Sequence, residues 1–341
     1  GIRDTSVTGV QTCALPISAM LAFMQSAPLG DDVFGEDPSV NALETKAAQL
    51  FAMEAGLFCP SGTMTNQLAI KTHTQAGDEV ICEELSHIYQ YEGGGIASNS
   101  GASVKLIRGN RGRITADQVA AAINPDDVHK PITKLVSLEN TCNRGGGACY
   151  DFKEIEAIQK VAKANGLGLH LDGARIFNAL VHKNENPTQY GKVFDSISIC
   201  LSKGLGAPVG SVLLGSAAFI KKARRWRKVF GGGMRQAGSL AAAGIYALDH
   251  NIERLKEDHT KALAIKNILE KKEFVKEIFE VETNIVIAHI EGKYNATQLA
   301  ATLKEKNILA IAMTPTLIRF VVHLDISDAK LAQTLEILEK L

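Results

Sequence analysis

Ser196-Ile-Ser-Ile-Cys-Leu-Ser-Lys203-Gly204-Leu-Gly206 decides how this chain is read. An apolar, β-rich run ends in a lysine and then in glycines. The run predicts a buried strand with the lysine at its C-terminal lip. Open α/β sheets place their ligand crevice at that end of the strands. An amine held there, partly withdrawn from water, is a usable nucleophile. Upstream, Gly168-Leu-His170-Leu-Asp172-Gly-Ala-Arg175 predicts a second strand with an acid at its end. A lone Lys-Gly is more often a solvated turn, and a lone Asp-Gly a loop corner. Two such residues, each closing an apolar run in one chain of enzyme size, reverse those odds.

The flanking sequence alternates. Strands are predicted over 79–83, 103–107, 134–138, 167–171, 196–201 and 211–214. Helices are predicted over 39–56, 64–72, 116–123, 152–164, 217–228 and 234–256. In the first of these helices Val40, Leu43, Ala47, Leu50 and Phe51 share a face, with Gly56 as a candidate C-cap. Thr115-Ala-Asp-Gln118 reads as a capping box. Strands alternating with helices of about ten residues argue for a mostly parallel sheet with helical crossovers. After about residue 250 the texture changes. Strands over 281–290 and 317–323, with helices over 297–306 and 327–341, predict a small α+β C-terminal domain. The expected division is an N-terminal segment over 1–30, a large domain over 31–250 and a small domain over 251–341.

Composition narrows the function classes. The chain has 341 residues, 45% of them hydrophobic, so it can bury a large core. Charges balance at 37 basic against 37 acidic, with no basic run. Nucleic acid and anionic membrane surfaces are therefore not expected as partners. No stretch reaches the roughly 18–20 apolar residues of a membrane span. Cysteines 13, 59, 82, 142, 149 and 200 are scattered, with no Cys-x-x-Cys. They read as free thiols in a reducing, cytoplasmic setting, with no structural zinc or other metal site. The start of the chain does not read as a secretory signal.

A lysine amine and a strand-end aspartate together are what pyridoxal phosphate requires. The amine condenses with the aldehyde, and the acid keeps the ring nitrogen protonated. Other residues fit around that pair. Gly62-Thr63 precedes a predicted helix, whose start can bind phosphate, although an ordinary N-cap reads the same way. His87 follows a predicted strand and is placed either to stack on a ring or to cap. Arg175 suits a substrate carboxylate or a surface ion pair. Arg319 lies inside the apolar run Leu317-Ile-Arg-Phe-Val-Val-His323 and calls for an anion. Arg235 in Gly231-Gly-Gly-Met-Arg235-Gln236 offers one more anion contact. No G-x-G-x-x-G and no Walker A loop occurs, which weighs against a dinucleotide or nucleotide triphosphate.

Long runs in a fixed order carry more weight than these single residues. Gly30-Asp-Asp-Val-Phe-Gly-Glu-Asp-Pro38, Pro60-Ser-Gly-Thr-Met-Thr-Asn66, Ser137-Leu-Glu-Asn-Thr141, His170-Leu-Asp-Gly-Ala-Arg-Ile-Phe-Asn178, Cys200-Leu-Ser-Lys-Gly-Leu-Gly-Ala-Pro-Val-Gly-Ser211 and Gly231-Gly-Gly-Met-Arg-Gln236 closely resemble the low-specificity threonine aldolases. The likeness runs from about Ala19 to the C-terminus. It implies the aspartate-aminotransferase-like α/β fold of fold type I pyridoxal-phosphate enzymes. It also implies roles. Lys203 would hold the cofactor and Asp172 would pair with its nitrogen. His87 would stack on the ring, and Gly62 and Thr63 would hold the phosphate. Arg175 and Arg319 would hold the substrate carboxylate. Lys228 and Arg235 would reach the phosphate of a neighbouring subunit, which implies a homodimer or homotetramer. His129 would lie near the substrate hydroxyl, as the base or beside a water that acts as the base.

The resemblance implies cleavage of L-threonine or L-allo-threonine to glycine and acetaldehyde. A β-eliminating amino-acid lyase, or a cofactor-binding protein with impaired turnover, are the alternatives. One departure stands at the N-terminus. The family opens with Arg-Ser-Asp-Thr-Val-Thr, whose serine contacts the substrate carboxylate. Counting back from Met20 puts that serine at Val10. Residues 1–18 are accordingly read as foreign sequence, with weakened substrate binding as the consequence.

Overall fold

The computed structural model describes residues 14–341. The expected loss of a serine at position 10 lies outside them. Seven strands form one sheet: β1 (Ala55–Cys59), β2 (Asp78–Glu83), β3 (Ser103–Ile107), β4 (Ile132–Glu139), β5 (Gly168–Gly173), β6 (Ser196–Cys200) and β7 (Ser211–Gly215). Their order is β1-β7-β6-β5-β4-β2-β3. The run from β6 through β5, β4 and β2 to β3 is parallel. Strand β7 is antiparallel to both β6 and β1. This is the mostly parallel sheet that the alternation predicts. Every residue of β2, β6 and β7 is buried. Parallel strands covered by helices on both faces have no solvent side to leave polar.

The lip of the sheet is built from strand ends. Glu83, Glu139 and Cys200 close β2, β4 and β6, and Asp172 is the last residue but one of β5. Gly173 follows Asp172 because a Cβ there would stand 2.7 Å from the Ser198 carbonyl oxygen of β6. The helix Gly62–His73 packs over β5, β6 and β7, with Thr65, Asn66, Leu68 and Ala69 buried.

Some boundaries depart from the sequence reading, among them the strand expected over 281–290, which begins only at Ile285. The helix expected over 39–56 runs only over Pro38–Leu50, and Gly56 lies in β1 instead of capping it. A Cβ on Gly56 would sit 2.8 Å from the Glu44 carbonyl oxygen, so this glycine lets β1 lie against that helix. The helix expected over 234–256 divides into Gly238–His250 and Leu255–Leu269. Asn251 sits at the break, where its amide donates to the Leu205 carbonyl at 2.7 Å. The capping box at Thr115 and Gln118 forms as expected.

A second sheet holds β8 (Val275–Ile278), β9 (Ile285–Ile290), β10 (Ile311–Ala312) and β11 (Leu317–Val321) in the order β10-β11-β9-β8, antiparallel throughout. It has its own core, with Leu269, Phe274, Leu299, Leu303 and Phe320. Strands β8 and β10 escape the sequence pattern because they are short and only partly buried. Ala14 and Leu15 tie the two sheets together. Ala14 N donates to the Lys203 carbonyl at 3.2 Å, and Leu15 N to Asp325 Oδ2 at 2.7 Å. Among the described residues, no helix is long and apolar enough to cross a membrane.

Candidate active site

Lys203 follows β6 on the loop that leaves the lip, and it lines two adjoining cavities. The smaller, about 190 Å³, is walled by Pro60, Ser61, Gly62, Thr63, Asp172 and His87 among others. The larger, about 390 Å³, is walled by His87, Glu139, Asn143, Arg175 and Arg319, with Ile311–Met313 from the second sheet's edge. His87, Ala174 and Lys203 belong to both.

The smaller cavity has three chemically distinct walls. Gly62 and Thr63 open a helix, and first-turn N–H groups have no intrahelical acceptor. The Ser61 hydroxyl caps this helix by accepting from Met64 N at 3.1 Å. The positive helix end faces the cavity, as a phosphate needs. Asp172, 2% exposed, forms the second wall. Its Oδ1 accepts from Ala174 N at 3.1 Å and its Oδ2 from Asn66 Nδ2 at 2.9 Å. A carboxylate offers about four lone-pair sites, so a third donor still has a place. The third wall is His87, whose ring spans the junction of the cavities.

Sequence reasoning missed what orients His87. Its N–H donates to Glu139 Oε2 at 2.7 Å, and its Nδ1 lies 3.0 Å from Glu92 Oε1. Burial disfavours the imidazolium, but the Glu92 hydrogen bond and the charges of Asp172 and Glu92 outweigh it, raising the His87 pKa. The Tyr91 ring lies 5.5 Å away at 34°. His87, Glu92 and Asp172 cluster closely enough to suggest a cation site, but the Asn66 amide already bridges the two carboxylates.

Glu139 was missed too. It is the register neighbour of Asp172 across β4 and β5. Burial, and then the Asp172 charge, push its carboxyl up to about 7. Its Oε1 accepts from Asn143 N at 2.9 Å. Asn143 in turn joins the two arginines: Arg175 Nη1 reaches Asn143 Oδ1 at 3.3 Å, and Arg319 Nη1 reaches the same atom at 2.9 Å. Arg319 Nε is buried without a hydrogen-bond partner. Burial, and then the Arg175 charge, pull the Arg319 pKa down to about 10. Two cations crowd one neutral oxygen, so an added carboxylate would relieve repulsion and satisfy a planar donor fork.

Three expected residues are not brought here within one chain. His129 precedes β4, and its Nδ1 pairs with Asp127 at 2.8 Å in the open. The eight residues of β4 separate that end of the sheet from the lip, a distance of about 26 Å. The expectation of a base at His129 is therefore not met inside a single subunit. Lys228 lines a separate basic cavity with Lys221, Arg224, Arg225 and Arg227. Arg235 pairs with Asp31 at 3.0 Å and lies over Phe34. Lys203, Asp172, His87, Gly62, Thr63, Arg175 and Arg319 do converge.

This donor set fits pyridoxal phosphate: an amine for the aldehyde, an acid for the ring nitrogen, a helix start for the phosphate and an imidazole face for the ring. Comparison with known proteins agrees. The family model of the beta-eliminating lyases matches residues 11–293. The low specificity L-threonine aldolase of Escherichia coli K12 is 43% identical over 323 residues, covering 94% of this chain and 95% of that protein. Low-specificity L-threonine aldolase 1 of Arabidopsis thaliana is 39% identical over 331 residues, covering 95% and 92%. Among solved structures, the threonine aldolase of Leishmania major superposes with a TM-score of 0.85 at 20% identity over 97% of this chain and 98% of that one. The serine palmitoyltransferase of Sphingomonas wittichii gives 0.75 at 17% over 95% and 83%. At such identity these two speak for the fold alone, that of fold type I. On the sequence matches, the chain belongs to the beta-eliminating lyase family, within its low-specificity threonine aldolases.

Proposed function

We propose that this protein binds pyridoxal phosphate and cleaves L-threonine and L-allo-threonine to glycine and acetaldehyde. The observation that carries the reading is the junction of the two cavities at Lys203. A cofactor-shaped wall set lies on one side, and two arginines on a shared amide oxygen lie on the other. When bound, the cofactor supplies the sink for the electron pair left by Cα–Cβ cleavage.

The residues divide the remaining work. Lys203 would supply the amine that holds the cofactor aldehyde. Asp172 holds the proton on the ring nitrogen. Ser61, Gly62 and Thr63 hold the phosphate. Arg175 and Arg319 fix the substrate carboxylate, and that fixes which Cα bond stands perpendicular to the ring. The hydroxyl proton would pass to a water held near His87 in the larger cavity, and a proton would return to Cα before glycine departs. His129 takes no part in this scheme within its own subunit. Lys228 and Arg235 are assigned to the phosphate of a neighbouring subunit, in a homodimer or homotetramer. The separate basic cavity around Lys228 supports that assignment. The five described cysteines are free and buried, which supports a cytoplasmic setting.

The test is acetaldehyde release from L-threonine by the pyridoxal-phosphate-loaded protein. Release that vanishes in Lys203→Ala supports the reading. Release from cysteine or tyrosine of an elimination product, with threonine inert, would replace it by β-elimination.

A further inference from the structure

On the helix Gly62–His73, the polar side chains of Asn66 and His73 lie seven residues apart on one face. Both are tied to the sheet beneath. Asn66 Nδ2 donates to Asp172 Oδ2 and to Glu92 Oε1, each at 2.9 Å. Its Oδ1 therefore faces the other way, 3.2 Å from His170 Nε2. His170 Nδ1 meets Ser196 Oγ at 2.9 Å, and Ser196 Oγ meets His73 Nε2 at 2.8 Å. His170 and Ser196 are register partners on β5 and β6. The line runs inward from Asp172 to the far end of the sheet, where His73 borders a cavity of about 610 Å³.

Donor and acceptor accounting fixes each proton along it. The amide has to donate to the two carboxylates, so its oxygen accepts and His170 Nε2 carries hydrogen. Burial holds His170 neutral, with its pKa pulled down to about 3. Nδ1 is then a lone pair and accepts the Ser196 hydroxyl. Ser196 Oγ in turn accepts from His73 Nε2, and His73 is also held neutral by burial, its pKa pulled down to about 4. Every hydrogen in the line points toward Asp172. An amide does not relay protons, so what passes along the line is orientation.

We propose that His170, Ser196 and His73 are positioning residues that lock the Asn66 amide and, through it, aim the Asp172 carboxylate at the cofactor's ring nitrogen. Without the His170 donor, Asn66 is free to turn its oxygen onto two carboxylates, which repel it. The inference rests on the reading that Asp172 pairs with that nitrogen.

The experiment is equilibrium binding to the apoprotein of two ligands. One is pyridoxal phosphate. The other is its analogue with CH in place of the ring nitrogen. Ser196→Ala and Asn66→Ala are compared with the natural sequence. Both variants should bind pyridoxal phosphate about tenfold more weakly, the size of one charged hydrogen bond. The analogue, which has no nitrogen to lose, should bind them within about twofold of the natural protein on the same reasoning. Equal losses for both ligands, or no loss for either, would overturn the inference and leave the line as packing alone. Failure of the natural protein to bind pyridoxal phosphate would sink the functional reading itself, a separate outcome. Ser196→Ala removes a single atom, which keeps the test open if Asn66→Ala does not fold.

Discussion

The two cavities that meet at Lys203 are finished to different degrees. On the smaller side, the side chains that hold Asp172 and His87 are tied to one another: Asp172, Asn66, Glu92 and His87 form one connected set. On the larger side, Arg175 and Arg319 converge on one amide oxygen, and Arg319 Nε has no partner. The connected half is pre-organised for a resident group. In the cationic half the buried Arg319 Nε has no hydrogen-bond partner, which suits a ligand that comes and goes. An anion arriving there removes a repulsion, and departure restores it.

Four measurements would break or sharpen that contrast. Lys203→Ala removes the group common to both halves, so acetaldehyde release should fall by on the order of a thousandfold or more. A residual rate near the natural one would end the comparison. Arg319→Lys keeps the charge but loses the fork. It should raise KM for L-threonine by about 10–100-fold with a smaller change in kcat, since the lost contact is present in ground and transition states alike. An equal fall in kcat would place Arg319 nearer the reacting bond.

The third concerns pH. The Arg319 pKa lies near 10, below its ordinary value, and the charged form is the one that binds. Affinity for a simple carboxylate without an amine should be flat through neutrality and fall above about pH 10. Arg175→Gln removes the second depressing cause, so that limb should move to higher pH. A limb that stays in place would show that burial alone sets it.

The smallest effect concerns stability. Glu139 is raised from 4.5 to about 7 in the folded protein. Below about 4.5 the carboxyl is protonated in both states. Between those values the folded state holds more protons than the unfolded, so stability falls as pH rises through the window. Glu139→Gln does not titrate. Its melting temperature relative to the natural protein should rise by a few degrees, on the order of 2–5 °C, from pH 5 to pH 8. A constant difference would show that Glu139 is not the titrating group.

The fold was legible because its signals are local. An apolar run ending in Lys203 or Asp172 announces a strand and a lip without reference to anything distant. What escaped was decided by partners far along the chain. Asn66 meets Asp172 across 106 residues, and Asn143 meets Arg319 across 176. No local pattern marks Glu92 or Asn143 as anything but ordinary polar residues, and the runs that contain Asn66 and Glu139 do not say what those two residues touch. Gly56 misled because glycine serves a helix end and a close strand equally well, and the Glu44 carbonyl chose between them. His129 came from resemblance alone, and within one subunit the fold puts it at the wrong end of the sheet.

The tether at Ala14 and Leu15 has a practical reach. A truncation that removes these two residues takes away a hydrogen bond to the Lys203 carbonyl and one to Asp325, so it would loosen the lysine loop as well as shorten the chain.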